Sequence, residues 1–161
     1  MEIVIWPSPI LKQKSEACVV PPYEVLTRQM TEVMKANNGV GLSAIQVGLA
    51  QSFFIMVDGD SVITVVNPKV LKLIGKPQVV YEGCLSLPGV YEETKRHLEV
   101  EVQYQDESMS LITRTLTGLS AQVFCHETEH CSGQMFIDKL SAAKRSLIRG
   151  NLQKAKRKGV I

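Results

Sequence analysis

Hydrophobic residues near the N-terminus change from an irregular spacing to a helical one. Four prolines within the first 22 residues make this part extended or irregular, because proline fixes φ and lacks a backbone donor. From Tyr23 to about Asn37 the apolar spacing favours a helix, and Asn37-Asn38-Gly39 supplies residues that end it. The apolar positions of this predicted helix are Val25, Leu26, Met30, Val33 and Met34.

Short apolar runs separated by turn residues fill the middle of the chain, which is the pattern of β-strands. Runs over 52–57 and 61–66 are joined by Asp58-Gly59-Asp60, which predicts a hairpin. Apolar and polar residues alternate over 97–105, as a sheet with one solvated face requires. Further strands are predicted over 70–74, 79–84 and 110–116.

Two more helices are predicted in the last third of the chain. Thr117 can cap a helix that Gly133 ends. Ser141 can cap a basic helix over about 141–157, with Leu147, Ile148 and Leu152 on its apolar side. The pattern predicts an α+β fold in which antiparallel strands pack around a central helix, followed by a C-terminal helix. We expect residues 1–161 to form one domain.

The central helix carries His126-Glu127-Thr128-Glu129-His130, which spells H-E-x-x-H. Residues four apart share a helix face, so both imidazoles can bind one metal ion while Glu127 stands beside it as a general base. A solvated helix that happens to carry two histidines is the simpler alternative. Since the only other histidine in the chain is His97, the pattern favours a metal site.

A catalytic site of this kind usually needs a third protein ligand. Phe136 stands where a metzincin would have its next histidine, and no Glu follows Glu129. The ligand is therefore expected upstream, with Asp138 as a minor alternative. Cys84 lies at a bend rich in glycine and proline, and its spacing alone fits a ligand and a small buried hydrophobe equally well. The upstream candidates are Cys18, Cys84, His97 or a carboxylate.

Composition and charge narrow the class of protein. Apolar residues make up 45% and charged residues 21%, as in ordinary globular proteins. We find no leader and no apolar run long enough to cross a bilayer, and expect a cytoplasmic monomer with reduced thiols and no membrane partner. Residues 139–161 hold eight of the 18 Lys and Arg residues and no Asp or Glu. This basic end is either a solvated face or a handle for RNA or an anionic surface.

Three segments together resemble the peptide deformylase family. Residues 39–46 (GVGLSAIQ) are similar to the family's G-x-G-x-A-A-x-Q, residues 82–86 match E-G-C-L-S, and residues 126–130 are similar to H-E-x-D-H. Their order and spacing are also similar, and the likeness extends through the terminal helix. The resemblance implies a metal-dependent hydrolase that removes the formyl group from the N-terminal formyl-methionine of nascent polypeptides and releases formate.

The resemblance also implies the metal ligands. It assigns Cys84, His126 and His130 to one divalent metal, with a water in the remaining position. A mixed thiolate and imidazole set suits iron, zinc, nickel and cobalt. Family enzymes work with ferrous iron, so we expect Fe²⁺, with Zn²⁺, Ni²⁺ or Co²⁺ as substitutes.

Catalytic roles follow from the same resemblance. Glu127 would take a proton from the attacking water and return it to the leaving amine. The Gln46 side-chain amide and the Leu85 backbone N–H would stabilise the oxyanion, and one such donor is typically worth about 3–4 kcal/mol. Taken alone, Gln46 is equally a polar residue in a turn.

Substrate binding is assigned to two glycine-containing segments and to apolar residues of the metal helix. Gly41 would let the substrate backbone approach closely and pair like an added strand. Glu82 would anchor the loop that carries the thiolate, although in isolation it is equally a surface charge. Arg96 matches a family arginine. The residues expected at the substrate site are Gly39, Val40, Gly41, Glu82, Gly83, Leu119 and Val123.

Four positions depart from the family pattern. Ser43 replaces the first alanine of its motif, and Glu129 replaces the usual Asp, which lengthens the side chain by a methylene. Cys125 replaces a Gln and adds a thiol near the site. Gln122 stands where the methionine pocket usually has an apolar wall, which would loosen the preference for methionine.

Two other functions compete with this one. A generic metallopeptidase would use Asp138 or another ligand in place of Cys84. A ribosome- or RNA-binding protein would hold a closed structural metal, with Cys125 or Cys131 as a fourth ligand. The general base and the oxyanion donor argue against the latter, but the two ideas combine if the basic terminal helix docks the enzyme at the ribosome.

Overall fold

The computed structural model describes residues 1–159, so the last two residues of the expected domain lie outside the described part. Within it, three α-helices and seven β-strands alternate with short 3-10 turns. The helices are α1 (Glu24–Ala36), α2 (Gly118–Cys131) and α3 (Ala142–Arg157). The strands are β1 (Gly41–Ser43), β2 (Phe53–Asp58), β3 (Ser61–Leu73), β4 (Gln78–Gly83), β5 (Tyr91–Arg96), β6 (Glu99–Gln105) and β7 (Leu111–Thr117).

Five strands form an antiparallel sheet in the order β1-β2-β3-β6-β7. The predicted hairpin is confirmed, since Asp58 pairs with Ser61 across the tight turn between β2 and β3. Strands β4 and β5 form a separate antiparallel pair. The α+β fold class predicted from the pattern is therefore confirmed.

Two strand predictions were wrong in detail. β3 continues through Asn67 and Pro68 as one strand of 13 residues instead of two short ones. Its pairing with β6 shifts register between Val66 and Lys69, and such an irregularity tolerates a proline inside a strand. The sequence also missed β5, whose residues are mostly polar because the two-stranded sheet is largely solvated.

Helix α2 is the centre of the molecule. Eight of its 14 residues are buried, including polar ones, and it packs against β1, β2 and β7. Phe124 lies edge-on against Phe54 of the sheet, with ring centroids 5.4 Å apart. Gly133 follows the helix with φ of +73° and touches the Lys12 carbonyl so closely that no side chain fits, which confirms its role at the helix end. Thr117 occupies the N-cap position, but its side chain makes no capping hydrogen bond.

Helix α3 packs through one face on a second hydrophobic cluster. The Ser141 hydroxyl accepts a hydrogen bond from the Lys144 N–H, so the predicted cap is confirmed. Ile148 and Leu152 are buried in a cluster with Trp6, Leu11 and Phe136. Leu147, predicted on the same apolar side, is 65% exposed. No described helix has both the length and the apolar character needed to span a bilayer.

Candidate active site

Three side chains with metal-ligand chemistry meet between α2 and the loop after β4. Nε2 of His126 lies 3.2 Å from Nε2 of His130, and Sγ of Cys84 lies 3.3 Å from the same His130 nitrogen. One ligand atom from each residue lies within 4.8 Å of the others. Both histidines come from one face of α2, whereas Cys84 arrives from a segment more than 40 residues upstream.

The arrangement fits a divalent metal. Two ring nitrogens around a tetrahedral zinc ion, each at about 2.0–2.1 Å, would be about 3.3 Å apart, close to the separation seen here. No other group of three such ligands occurs among residues 1–159. The alternative ligand Asp138 instead bonds Lys12, at 2.6 and 2.8 Å, and the Met135 N–H. Neither Cys18 nor His97 joins the group.

His126 is held from behind by a buried carboxylate. Its Nδ1 lies 2.5 Å from Oε1 of Glu82, which leaves Nε2 to face the other two ligands. Glu82 also accepts hydrogen bonds from Thr94, at 2.6 Å, and from Nε of Arg96, at 2.9 Å. The guanidinium of Arg96 then reaches both carboxylate oxygens of Glu129, at 2.5 and 3.0 Å.

These contacts determine the charge of the network. Burial by itself would raise the pKa of Glu82, but hydrogen bonds with His126 and Arg96 outweigh it and hold that pKa well below its usual range. Burial likewise opposes the charge of Arg96, yet Glu82 and Glu129 raise its pKa. Lys139 pairs with Glu129 at the surface end. Glu129, which stands where the family usually has Asp, thus makes a bidentate contact with Arg96.

For Glu127, burial outweighs the contacts that would stabilise its charge. Its side chain is 3% exposed, and its Oε2 is a buried oxygen with no hydrogen-bond partner among the described residues. Burial raises its pKa to about 7 and outweighs the opposing effect of the neighbouring His126. A buried carboxyl group whose pKa lies near 7 is suited to proton transfer.

The side chain of Gln46 connects its own segment to the segment that carries Cys84. Its Oε1 accepts hydrogen bonds from the backbone N–H and the hydroxyl of Ser43, both at 2.9 Å. Its Nε2 donates to Oγ of Ser86 at 3.2 Å and to Sγ of Cys84 at 3.4 Å. The amide N–H groups therefore face the loop between β4 and β5, residues 84–90, which carries Cys84 and is called the thiolate loop below. Within residues 1–159 the Leu85 N–H has no hydrogen-bond acceptor.

A cleft of about 470 Å³ opens over these groups. Gln122, one of the departures from the family pattern, donates to the Tyr81 carbonyl at 3.1 Å across this cleft. The sequence did not predict Ile3, Ile5 or Tyr91 as part of the wall, and no local pattern singles them out. The wall includes all seven residues expected at the substrate site: Gly39, Val40, Gly41, Glu82, Gly83, Leu119 and Val123.

The two thiols of α2 do not belong to the group of metal-ligand atoms. Cys125 and Cys131 are buried in the hydrophobic core. Burial raises the pKa of Cys125 to about 11 and that of Cys131 to about 12, so both stay protonated at neutral pH. Neither thiol joins the group of three ligand atoms, which argues against a closed four-ligand site.

Comparisons with known proteins agree with this geometry. A family model described as polypeptide deformylase matches residues 1–146. The peptide deformylase of Thermotoga petrophila is 36% identical over 152 residues, which is 93% of each chain. Among solved structures, the peptide deformylase of Thermotoga maritima has a TM-score of 0.82 at 33% identity, covering 87% of this chain and 97% of its own. That of Ehrlichia chaffeensis, solved with actinonin, has a TM-score of 0.91 at 29% identity over 98% of each chain.

Proposed function

This chain belongs to the polypeptide deformylase family and removes the N-formyl group from nascent polypeptides, and we propose that Cys84, His126 and His130 hold its metal. The observation that carries the proposal is the convergence of these three ligand atoms near Glu127, whose buried Oε2 has no hydrogen-bond partner within residues 1–159. A metal held there would acidify a bound water and polarise the formyl oxygen.

Glu127 acts as the proton carrier in this proposal. Its Oε2 takes a proton from the water that attacks the formyl carbon, and the same oxygen later gives the proton to the departing amine. Burial supports both steps, because a carboxyl group with a pKa of about 7 gives up and accepts a proton with similar ease. Glu127 follows the ligand His126 directly in α2, so its carboxylate would reach a water bound to the same metal.

Two donors would stabilise the negative charge that develops on the formyl oxygen. They are Nε2 of Gln46, which faces the thiolate loop, and the N–H of Leu85, which has no acceptor among the described residues. Donors that are already oriented need no rearrangement when charge develops.

Substrate binding would use strand addition. β1 is an edge strand, paired only with β2, and it borders the cleft together with β4. A peptide could pair with such an edge and direct its first side chain at Val40, Leu119 and Val123, whose apolar surfaces suit methionine. Gln122 adds one polar group to this wall, so we expect methionine to be preferred without being the only side chain accepted.

The metal in the cell is proposed to be ferrous iron. One thiolate and two imidazoles form a donor set that binds iron, zinc, nickel and cobalt. Metal analysis of protein purified without oxygen would test this, and stoichiometric zinc in such a preparation would contradict it.

The deciding experiment measures formate release from formyl-Met-Ala-Ser by protein purified anaerobically with iron. We expect release by the native chain, and a loss of at least about 100-fold in Glu127→Ala with metal content unchanged. Casein cleavage, measured beside it, tests the metallopeptidase alternative. Casein cleavage without formate release would overturn the proposal.

Docking at the ribosome through α3 is a second, separable proposal. Lys154, Lys156 and Lys158 are exposed and form no ion pair within residues 1–159. Reversing all three to Glu should weaken ribosome binding and reduce its salt dependence, while activity on short peptides persists. Reversing Lys69, Lys72 and Lys76 to Glu, on another exposed segment, is the charge-matched control. Equal binding by both variants would sink the idea.

Charge reversal is a cleaner test than truncating the chain after about Leu140. Truncation would remove Ile148 and Leu152 from the core and unfold the site along with the basic surface.

We further propose that residues 1–161 act as one catalytic domain and as a cytoplasmic monomer. Light scattering of the purified chain at micromolar concentration tests the monomer, and a mass near twice 17.8 kDa would contradict it.

A further inference from the structure

The Gln46 amide is held by two buried serines, one at each of its ends. Ser43 and Ser86 are both 0% exposed and Gln46 is 1% exposed, so no solvent competes for these hydrogen bonds. We infer that Ser43 and Ser86 are positioning residues that fix the Gln46 amide with one N–H directed at the reacting group. This inference rests on the proposed role of Gln46 as an oxyanion donor.

Ser43 determines which way round the amide lies. Its backbone N–H and its hydroxyl both donate to Oε1 of Gln46, each at 2.9 Å. An amide turned by 180° would place its NH₂ group against the Ser43 N–H, which cannot accept a hydrogen bond. The carbonyl end is therefore locked, and the NH₂ end must point towards the loop that carries Cys84.

Ser86 determines where the two N–H groups point. Its hydroxyl oxygen accepts one of them at 3.2 Å, and the other is directed at Sγ of Cys84, 3.4 Å away. The first is engaged by the protein, and the second lies where the third ligand meets the cleft. Only this second N–H is then available to an oxyanion.

The N-terminal segment holds the backbone of Gln46 next to that of Ser86. The Val4 N–H donates to the Gln46 carbonyl at 2.7 Å, and the Trp6 N–H donates to the Ser86 carbonyl at 2.9 Å. The segment thus joins the Gln46 turn to the thiolate loop. The serines thus occupy three of the four hydrogen-bonding positions of the Gln46 amide, and the remaining N–H is held in one orientation towards Cys84. A donor fixed in this way needs no reorganisation.

A double-mutant cycle tests this inference in the metal-loaded enzyme. Ser43→Ala and Ser86→Ala should each lower kcat by about two- to tenfold with KM unchanged, because a misdirected donor affects the transition state alone. In a Gln46→Ala background the same changes should have no further effect. Ser15→Ala is the matched control, since Ser15 is a buried serine whose hydroxyl has no hydrogen-bond partner in the described part of the chain.

A spectroscopic measurement on the metal-free chain gives an independent readout. The side-chain NH₂ signals of Gln46, identified by their absence in Gln46→Ala, should be two sharp resonances protected from exchange with solvent. In Ser43→Ala they should broaden or exchange faster, while Ser15→Ala leaves them unchanged.

The outcomes distinguish the oxyanion role of Gln46 from the positioning role of the two serines. Full activity of Gln46→Ala would overturn the oxyanion role itself and, with it, the catalytic consequence of the serines. An impaired Gln46→Ala beside fully active serine variants, or serine effects that persist without Gln46, would overturn only the positioning role.

Discussion

At the scale of the residue, burial and pairing give two similar carboxylates opposite properties. Glu82 and Glu127 are each 3% exposed. Glu82 contacts Arg96 and His126, so its charge is compensated and its pKa lies well below the usual range. Glu127 has an oxygen without a hydrogen-bond partner among the described residues, and burial raises its pKa to about 7. The first can hold a ligand in place and the second can carry a proton.

Gly41 shows how closely strand β1 approaches Glu127. A Cβ at this position would lie 2.5 Å from Oε1 of Glu127 and 2.8 Å from Cγ1 of Val123. We therefore expect Gly41→Ala to displace the Glu127 side chain and to lower kcat/KM by about 100-fold, measured by formate release. Gly150→Ala is the control, because nothing lies within 4 Å of that position in α3. It should keep full activity and stabilise the chain by about 0.5–1 kcal/mol. Unchanged activity of Gly41→Ala would show that the base tolerates the contact.

At the scale of the element, the site depends on strands that the hydrophobic pattern marks poorly. β5 supplies Thr94 and Arg96, yet it was missed because its residues are mostly polar. α1, α2 and α3 were predicted close to their observed bounds, since each has clear apolar spacing or capping residues. Local patterns report burial against the core, and β5 packs in a two-stranded sheet outside it.

Helix α3 contributes to stability through one face. Leu152 is 4% exposed and packs in the cluster that contains Trp6 and Leu87, beneath the thiolate loop. Leu152→Ala should lower the free energy of unfolding by about 2–5 kcal/mol in urea titrations, since it leaves a cavity. Leu147→Ala, at a position 65% exposed on the same helix, should change it by no more than about 0.5 kcal/mol. Equal effects of the two changes would contradict this packing.

Asp58 joins the β2–β3 hairpin to α2 and β7. It accepts hydrogen bonds from Ser120 at 2.7 Å and from Arg114 at 2.6 Å, and these bonds lower its pKa against the effect of burial. A lowered pKa gives stability that is present above the unfolded value of about 3.9 and is lost as the pH falls through the folded value. Asp58→Asn should therefore lower stability by about 1 kcal/mol at pH 7, after allowance for partial exposure, and by less near pH 3.

Urea unfolding of the native chain and Asp58→Asn at pH 7, 5 and 3 measures this dependence. Asp60→Asn, in the same turn and exposed, is the control and should show no such trend. A difference for Asp58→Asn that stays constant down to pH 3 would mean that its charge contributes nothing.

At the scale of the whole molecule, the site is a junction of distant segments. Residues near positions 43, 84 and 126 meet there, and the N-terminal segment joins the first two. Metal binding should consequently stabilise the entire fold. At a free metal concentration about 1,000 times Kd the gain would be about 4 kcal/mol.

Chelation measures this coupling. Removing the metal should lower the midpoint of thermal unfolding of the native chain, whereas Cys84→Ala should unfold at one temperature with or without chelator. A chelator effect of equal size in both proteins would indicate that Cys84 is not a ligand. This result would favour the metallopeptidase alternative.

The sequence by itself determined the parts of the site that depend on local geometry. His126, Glu127 and His130 follow from a spacing of about one helical turn, and the α+β class follows from the alternation of apolar and polar residues. Spacing left Cys84 equally a core residue, and only the resemblance of its motif assigned it as a ligand. The tertiary structure brought its thiol to the histidines. It also brought Glu82 to His126, 44 residues away, and gave Ser43 and Ser86 a common partner in Gln46. Such contacts join segments that share no period, so no local pattern carries them.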